Sequence, residues 1–255
     1  MISNYLEILI LSIIQGTSEF LPVSSSAHPI IFSNIIDFSS QSIIFDVWLH
    51  FGSLLAIIFY FKKELLNILN DKKLFNLLLI GSIPLILVGY IFYSTGIIDS
   101  FRNLKVIAWN TLIFGILLYF ADNIEIKKNI EKDLTIKNIL IIGILQILAI
   151  IPGVSRAGIT ITAGRLLNFD RHDSTKISFY LSIPALMGAS VLSLKDAINE
   201  NLEFNLFLIV SIILSFIFSY LTIKYFLIYT KKFSLKFFVI YRIILSIIIF
   251  SIIYY

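Results

Sequence analysis

Long apolar runs limit most strongly what this chain of 255 residues can fold into. The six runs lie at 44–61, 75–93, 105–120, 177–194, 206–229 and 237–254. A helix that crosses the hydrocarbon core of a bilayer needs about 20 apolar residues, and about 17 suffice. Hydrophobic residues make up 58% of the chain, whereas soluble domains contain about 45–50%. We therefore expect an all-α polytopic membrane protein, in which residues 1–255 form a single membrane domain with about six full transmembrane helices.

Two further apolar regions are interrupted at their centres. The region 5–32 is broken by Pro22, and the region 138–168 is broken by Pro152 and Gly153. At 1.5 Å per residue, the arms of the second region are too short to cross a core about 30 Å thick. Each region therefore predicts a re-entrant helical hairpin, which is tolerated where protein or a water-filled cavity surrounds it.

The basic residues predict the orientation of the chain. Thirteen Lys and Arg residues lie in four loops: 62–74, 121–137, 169–176 and 230–236. Three lie in the segments on the opposite side: 33–43, 94–105 and 195–205. The excess of Lys and Arg marks the cytoplasmic side of a membrane protein. The first hairpin is thus predicted to enter from outside and the second from inside.

The two interrupted regions predict an inverted internal repeat. Each half, at about 1–125 and 126–255, contains one hairpin followed by three spans, and an odd number of spans inverts the second half. The motif "PVSSSA" begins at Pro22 and "PGVSRA" at Pro152, so the offset is 152 − 22 = 130 residues. Interrupted segments at matching positions of two inverted halves indicate a binding site near the middle of the membrane.

The first break contains several polar side chains in an apolar setting. Glu19 precedes Pro22, and Ser24, Ser25 and Ser26 follow it. Each serine is either a cap for the next helix or a ligand group. An intramembrane carboxylate is costly and indicates function by default.

His28 lies about one turn after the first break. It is either a satisfied core histidine or part of the site, and its place beside Glu19 in a broken helix favours the site.

The second break supplies a complementary positive charge. Ser155 can cap the helix that restarts there, and Arg156 follows it. If the two breaks meet, a guanidinium, two helix N-termini and several hydroxyls form a phosphate-binding cradle. Thr160 either faces this cradle or bonds a carbonyl of its own helix.

Other polar residues are weaker candidates for the site. Arg165 lies near the cytoplasmic end of its segment and is expected to snorkel to water. Arg242 lies within the last span and is expected to tie the helices together. Asp46 and His50 share one helix face, so they either pair with each other or face the cavity. Gln146 precedes the second break and is expected to bridge helices or to support the site.

The motifs "QGTSEFLPVSSSAH" and "IPGVSRAGITI" resemble those of the undecaprenyl-diphosphate phosphatase family, also called bacitracin-resistance proteins. The resemblance runs along the whole chain, including the Tyr241–Arg242 pair. It implies an integral enzyme of the bacterial inner (plasma) membrane whose active site faces the outer, periplasmic side. The implied reaction hydrolyses undecaprenyl diphosphate to undecaprenyl phosphate and inorganic phosphate. That reaction returns the lipid carrier to cell-wall synthesis and gives bacitracin resistance.

The resemblance also implies roles for individual residues. The predicted catalytic residues are Glu19, Ser25, His28 and Arg156. The predicted substrate-binding residues are Ser24, Ser26, Ser155 and Thr160. Activity in the family is linked to a divalent cation, so Mg²⁺ or Ca²⁺ is expected at Glu19 and Gln15. Gln15 departs from the glutamate that many members carry, which removes one charge from that site, and Ala157 replaces a usual serine.

Several alternatives remain open at this level. The nucleophile is Ser25 or a water, with His28 as base or acid, and a phosphohistidine at His28 is chemically possible. Glu19 either orients His28 or holds the cation. The expected partners are the polyprenyl diphosphate and membrane lipids, with no nucleic acid, and the sequence does not define an oligomeric state. The rival function is a polyprenyl-phosphate flippase that uses the same cradle, since inverted repeats with broken helices are typical of transporters.

Overall fold

Ten helices of nine or more residues form the described part of this computed structural model, which covers residues 2–25, 28, 43–199 and 206–254. They are α1 (Ile2–Ser18), α2 (Ile43–Tyr60), α3 (Lys62–Asn70), α4 (Lys72–Thr95), α5 (Leu104–Asp122), α6 (Ile136–Gln146), α7 (Arg156–Leu166), α8 (Arg171–Asn199), α9 (Leu206–Lys232) and α10 (Lys236–Tyr254).

The long helices coincide with the apolar runs of the sequence. Five of them, α4, α5, α8, α9 and α10, are long and apolar enough to cross a membrane. The sixth predicted span coincides with α2, which has 18 residues. The prediction of an all-α polytopic membrane protein is therefore confirmed.

Both interrupted regions contain a break in the helix. In the second, α6 continues as a 3-10 turn to Ile150 and the chain reverses at residues 151–155, here called the second turn. Gly153 adopts a φ of 92° there, a value that a glycine reaches without strain. Helix α7 then returns and packs on α6, which gives a helical hairpin.

In the first region, α1 ends at Ser18, and residues 19–25 form the first turn. Except for His28, the rest of that predicted hairpin, including Ser26, lies outside the described residues.

The helix pairs in contact are those expected if corresponding helices of the two predicted halves make corresponding contacts. Helix α1 packs on α9 and α6 packs on α4, while α2 packs on both α8 and α9 and α4 packs on α8. Two further large contacts join α5 to α10, the last helix of each predicted half, and α7 to α8. The boundaries of the inverted repeat remain a prediction, and this packing is compatible with it.

One crossing requires glycine. A Cβ atom added to Gly143 in α6 would lie 2.2 Å from the carbonyl oxygen of Gly81 in α4. Such close approach of two backbones is typical of helices that pack in a membrane, where small residues form the interface. It places the second hairpin directly against α4.

Polarity is distributed as a bilayer requires. Large apolar side chains face outward, among them Tyr90, Phe120 and Ile240, which are 60%, 63% and 58% exposed. Polar groups face inward, where the hydroxyl of Ser219 donates to that of Ser53 at 2.9 Å between α9 and α2. Such a bond within the protein replaces the partner that lipid cannot offer to a buried polar group.

Candidate active site

Arg242, near the centre of α10, holds the two turns together. Its guanidinium is fully buried and donates to Pro22 O of the first turn at 3.3 Å. It also donates to Val154 O at 3.0 Å and Gly153 O at 2.8 Å in the second turn. Its other bonds reach two carbonyls of α5 at 3.1 and 3.4 Å. The prediction that Arg242 ties the helices together is confirmed, and its targets are the two breaks.

A serine in left-handed conformation occupies each turn. Ser24 has a φ of 76° and Ser155 a φ of 71°, a region that costs an L-residue about 1–2 kcal/mol. The backbones therefore match Ser24 with Ser155, an offset of 155 − 24 = 131 residues. The motif alignment, which matched Ser25 with Ser155, is wrong by one residue. Ser155 also caps α7, because its hydroxyl accepts from the Gly158 N–H at 3.1 Å.

Glu19 and Arg156 form an ion pair between the turns. Arg156 Nη2 donates to Glu19 Oε1 at 3.0 Å and to the Glu19 carbonyl at 3.2 Å. Arg156 Nη1 donates to Ser178 O at 3.4 Å, and the guanidinium lies 6.0 Å from the ring centre of Phe20. The side chains are 5% and 12% exposed. Each charge thus compensates the other in a site that is largely shielded from solvent.

The second oxygen of the Glu19 carboxylate faces α1 and α2. Gln15 Nε2 donates to Glu19 Oε2 at 3.0 Å and lies 2.8 Å from His50 Nδ1. His50 Nδ1 is itself 3.6 Å from that carboxylate oxygen. The Ser25 side chain is also a hydrogen-bond partner of the Glu19 carboxylate. Of the two sequence alternatives for His50, the structure supports the one in which it faces the site; the Asp46 side chain lies outside the described residues.

His28 is held by a different set of partners. Its Nδ1 lies 2.7 Å from Ser24 O, a carbonyl that can only accept, so Nδ1 carries a proton. In the neutral ring Nε2 then accepts from the Tyr241 hydroxyl at 2.5 Å. The two rings are nearly parallel, with centres 6.0 Å apart. Because Glu19 and His28 bond separate partners, the expected role of Glu19 in orienting His28 has no support here.

Thr160 lies behind Arg156. Its hydroxyl bonds Arg156 O at 2.8 Å and Ser178 Oγ at 2.7 Å, and the residue is 1% exposed. Of the two sequence alternatives, the structure has the one in which Thr160 bonds its own helix. Since Ser178 also accepts from Arg156, these contacts hold the start of α7 against α8.

Arg165 is buried, so the expectation that it snorkels to water is wrong. It is 1% exposed and donates to Asp122 O at 3.1 Å, and it also bonds Phe169 O and Ile124 O. Nearby, Arg171 Nε bonds Asp122 Oδ1 at 2.5 Å. The segment after α5 folds over the end of α7 and covers the guanidinium. The arginine therefore fastens the second hairpin to α5.

The donors around Glu19 can serve a divalent cation only in part. Mg²⁺ and Ca²⁺ require six or more oxygen ligands. Within the described residues no three His, Cys, Asp or Glu side chains cluster as a metal site would require. Gln15 approaches Glu19 with its nitrogen, which is not a ligand for these ions. Within the described residues Glu19 is thus the one carboxylate at this place, and most ligands would have to come from a bound phosphate group.

The sequence gives no role to Tyr241 and leaves two alternatives for His50. Tyr241 adjoins Arg242, which is the one signal that pointed to it. His50 lies 35 residues from Gln15, and only the packing of α1 beside α2 brings them together.

Known proteins share this sequence along most of its length. The family described as bacitracin resistance protein BacA matches residues 8–248. A protein of Pelagibacter ubique named undecaprenyl-diphosphatase is 60% identical over 212 residues, which cover 83% of each chain. A protein of the same name from Alteromonas mediterranea is 39% identical over 208 residues, 76% of this chain and 78% of the relative. Undecaprenyl-diphosphatase 2 of Stutzerimonas stutzeri is 38% identical over 211 residues, with the same two shares.

Proposed function

The chain belongs to the bacitracin resistance protein BacA family, and on this premise we propose that it hydrolyses undecaprenyl diphosphate. The products are undecaprenyl phosphate and inorganic phosphate, and the reaction recycles the lipid carrier for cell-wall synthesis and gives bacitracin resistance. The observation that carries this proposal is the Glu19–Arg156 pair, in which two broken helices place opposite charges 3.0 Å apart. The names of the relatives agree with it.

The substrate binds with its prenyl tail among the apolar faces of the spans and its diphosphate at the two turns. Arg156 has five N–H donors, and within the described residues three of them have acceptors. Nε, which is buried and unpaired within the described residues, and one hydrogen of Nη1 would bind phosphate oxygens once the substrate has entered the site. A guanidinium fixed in advance stabilises the charge that develops on the phosphoryl group without reorganising during the reaction.

In the first step Ser25 Oγ attacks the terminal phosphorus. The Ser25 proton passes to Glu19, its hydrogen-bond partner, as the bridging P–O bond breaks and undecaprenyl phosphate leaves. Protonation removes the negative charge that binds Arg156 Nη2. Arg156 then carries an uncompensated positive charge beside the phosphoryl oxygens when their charge is greatest.

In the second step water attacks the phosphorus of the phosphoserine. His28 Nε2 takes the proton of the water once the Tyr241 hydroxyl yields its position. The Ser25 oxygen leaves and regains its proton from Glu19, so inorganic phosphate is released. Loss of the proton from His28 to solvent restores the starting state.

Glu19 is the protein residue that would contact a divalent cation, Mg²⁺ or Ca²⁺, with Gln15 as a further ligand only if its amide turns over. Such an ion would supply charge neutralisation on the phosphate oxygens. Substrate phosphates commonly supply most ligands of such ions.

The site opens to the outer side of the bacterial plasma membrane. The proposal rests on the loops rich in Lys and Arg, which are cytoplasmic by the positive-inside rule. Asn129→Cys and Asn199→Cys are expected to react with an impermeant thiol reagent from opposite sides of the membrane. Labelling from one side only would overturn this orientation.

Phosphate release from undecaprenyl diphosphate by the purified protein tests the proposed function. Wild type is expected to release phosphate, and Glu19→Gln is expected to lose activity by about 10²-fold or more, as for removal of a general base. Glu125→Gln is the matched control, since the Glu125 side chain is 79% exposed and lies far from the turns. A wild type that transfers lipid phosphate between bilayer leaflets without releasing phosphate would establish the flippase instead.

A further inference from the structure

Among the described residues, the protein engages one ring nitrogen of His50 and leaves the other unpaired. Gln15 Nε2, an amide nitrogen that can only donate, lies 2.8 Å from His50 Nδ1. Nδ1 is therefore the acceptor, and the neutral ring carries its proton on Nε2. Within the described residues Nε2 has no protein partner. The His50 ring thus presents an N–H donor at Nε2. The contact of Nδ1 with Gln15 fixes the orientation of that donor.

The ring is also the most exposed side chain of the cluster around Glu19. The His50 side chain is 34% exposed, whereas those of Glu19 and Arg156 are 5% and 12% exposed. Arg156 approaches Oε1 of the carboxylate, while Gln15 and His50 approach Oε2. A ligand that approaches the carboxylate on its Oε2 side therefore meets His50.

We infer that His50 is a further catalytic residue, which donates from Nε2 to a phosphoryl oxygen of the substrate. This inference rests on the proposed function and adds a second donor to Arg156. The two donors flank the Glu19 carboxylate, so a phosphoryl group beside Ser25 is held from both sides. Gln15 is the positioning residue that keeps the ring in its donating tautomer.

Two substitutions separate the roles of the ring nitrogens. In His50→Gln the side-chain amide nitrogen takes a place near that of Nε2, so the donor is kept and the contact with Gln15 is lost. In His50→Asn the side-chain oxygen takes a place near that of Nδ1, so the contact with Gln15 is kept and the donor is lost. We expect His50→Asn to lower kcat/KM by about 10²-fold, as for loss of one donor to a developing oxyanion. His50→Gln is expected to stay within about 10-fold of wild type.

The same two substitutions at His172 are the controls. His172 is the third histidine of the chain and lies at the start of α8, away from both turns. All variants are compared as monodisperse detergent-purified protein with undecaprenyl diphosphate. If His50→Asn is as active as wild type while His50→Gln is impaired, His50 only anchors Gln15 and the inference is wrong. Equal activity of both variants and wild type also overturns it, and a wild type that releases no phosphate refutes the proposed function first.

Discussion

The turn after α1 and the turn before α7 share one backbone feature, a serine at positive φ, and differ in the side chains around it. Ser25 follows Ser24 in the first, and Arg156 follows Ser155 in the second. A hydroxyl and a guanidinium thus occupy corresponding places. Both sets of carbonyls bond the same Arg242. The shared backbone feature therefore places different side chains, a hydroxyl and a guanidinium, beside the same arginine. Two identical turns would supply only one kind of group.

The glutamines that precede the turns show the same divergence. Gln15 and Gln146 are also 146 − 15 = 131 residues apart. Gln15 bonds Glu19 and faces His50, whereas Gln146 is fully buried and neither of its side-chain polar atoms has a partner within the described residues. Under the proposed function, the first half carries the reacting groups and the second half holds the phosphate. Three predictions test this division of roles.

The largest effect is expected from removing a hydroxyl in the first turn. Ser25→Ala should lower phosphate release by at least about 10³-fold, because the nucleophile is lost, while the lipid diphosphate still binds. Ser155→Ala should leave measurable turnover and weaken binding by about 5-fold, because the cap of α7 is lost and contributes about 1 kcal/mol. Single-turnover hydrolysis and equilibrium binding on both variants measure the difference. If Ser155→Ala binds normally and cannot react while Ser25→Ala still turns over, the roles of the turns are reversed.

A smaller loss of activity is expected when the guanidinium of Arg156 is replaced by an ammonium group. Arg156→Lys keeps the charge but cannot contact Glu19 and two phosphate oxygens together. We expect kcat to fall by about 10²-fold. The control is Arg102→Lys, at an exposed position in the segment opposite the basic loops. Near-wild-type turnover of Arg156→Lys would show that the fork of the guanidinium is not needed.

The smallest effect on activity is expected at the far end of α7. Arg165→Lys cannot satisfy the three carbonyls that the arginine bonds, so it should lower the free energy of unfolding by about 2 kcal/mol. The activity of each folded molecule should remain within about two-fold of wild type, since Arg165 touches neither turn. Thermal unfolding in detergent and turnover per folded molecule check the two parts. An unchanged unfolding temperature would mean that the buried contacts of Arg165 add nothing to stability.

The membrane-spanning helices could be predicted from sequence because hydrophobicity decides them locally. The run 177–194 lies within α8 and the run 237–254 ends with α10. The breaks in the helices could be predicted equally well, because proline and glycine affect the backbone conformation of the residues beside them. Glu19 and Arg156 could be singled out because charges inside apolar segments are rare for a physical reason.

Contacts between segments that are far apart in the sequence could not be predicted in this way. Arg165 was expected at the water interface, and no local signal shows that the segment after Asp122 folds over it. The position of His50 beside Gln15 depends on the angle at which α1 crosses α2. The motif alignment was off by one residue because proline marks a break in the helix without marking which later residue takes positive φ.

The bonds of Arg242 also set the order in which the site can be completed during synthesis. The residue follows Pro22 by 242 − 22 = 220 positions, and it lies in α10, which follows the other described helices along the chain. Before α10 emerges from the ribosome, both turns lack the guanidinium that joins their carbonyls, although α1, α6 and α7 have already been made. The pairing of Glu19 with Arg156 is therefore secured only once α10 has been made. A partly made chain in the membrane would contain every predicted catalytic residue and no assembled active site.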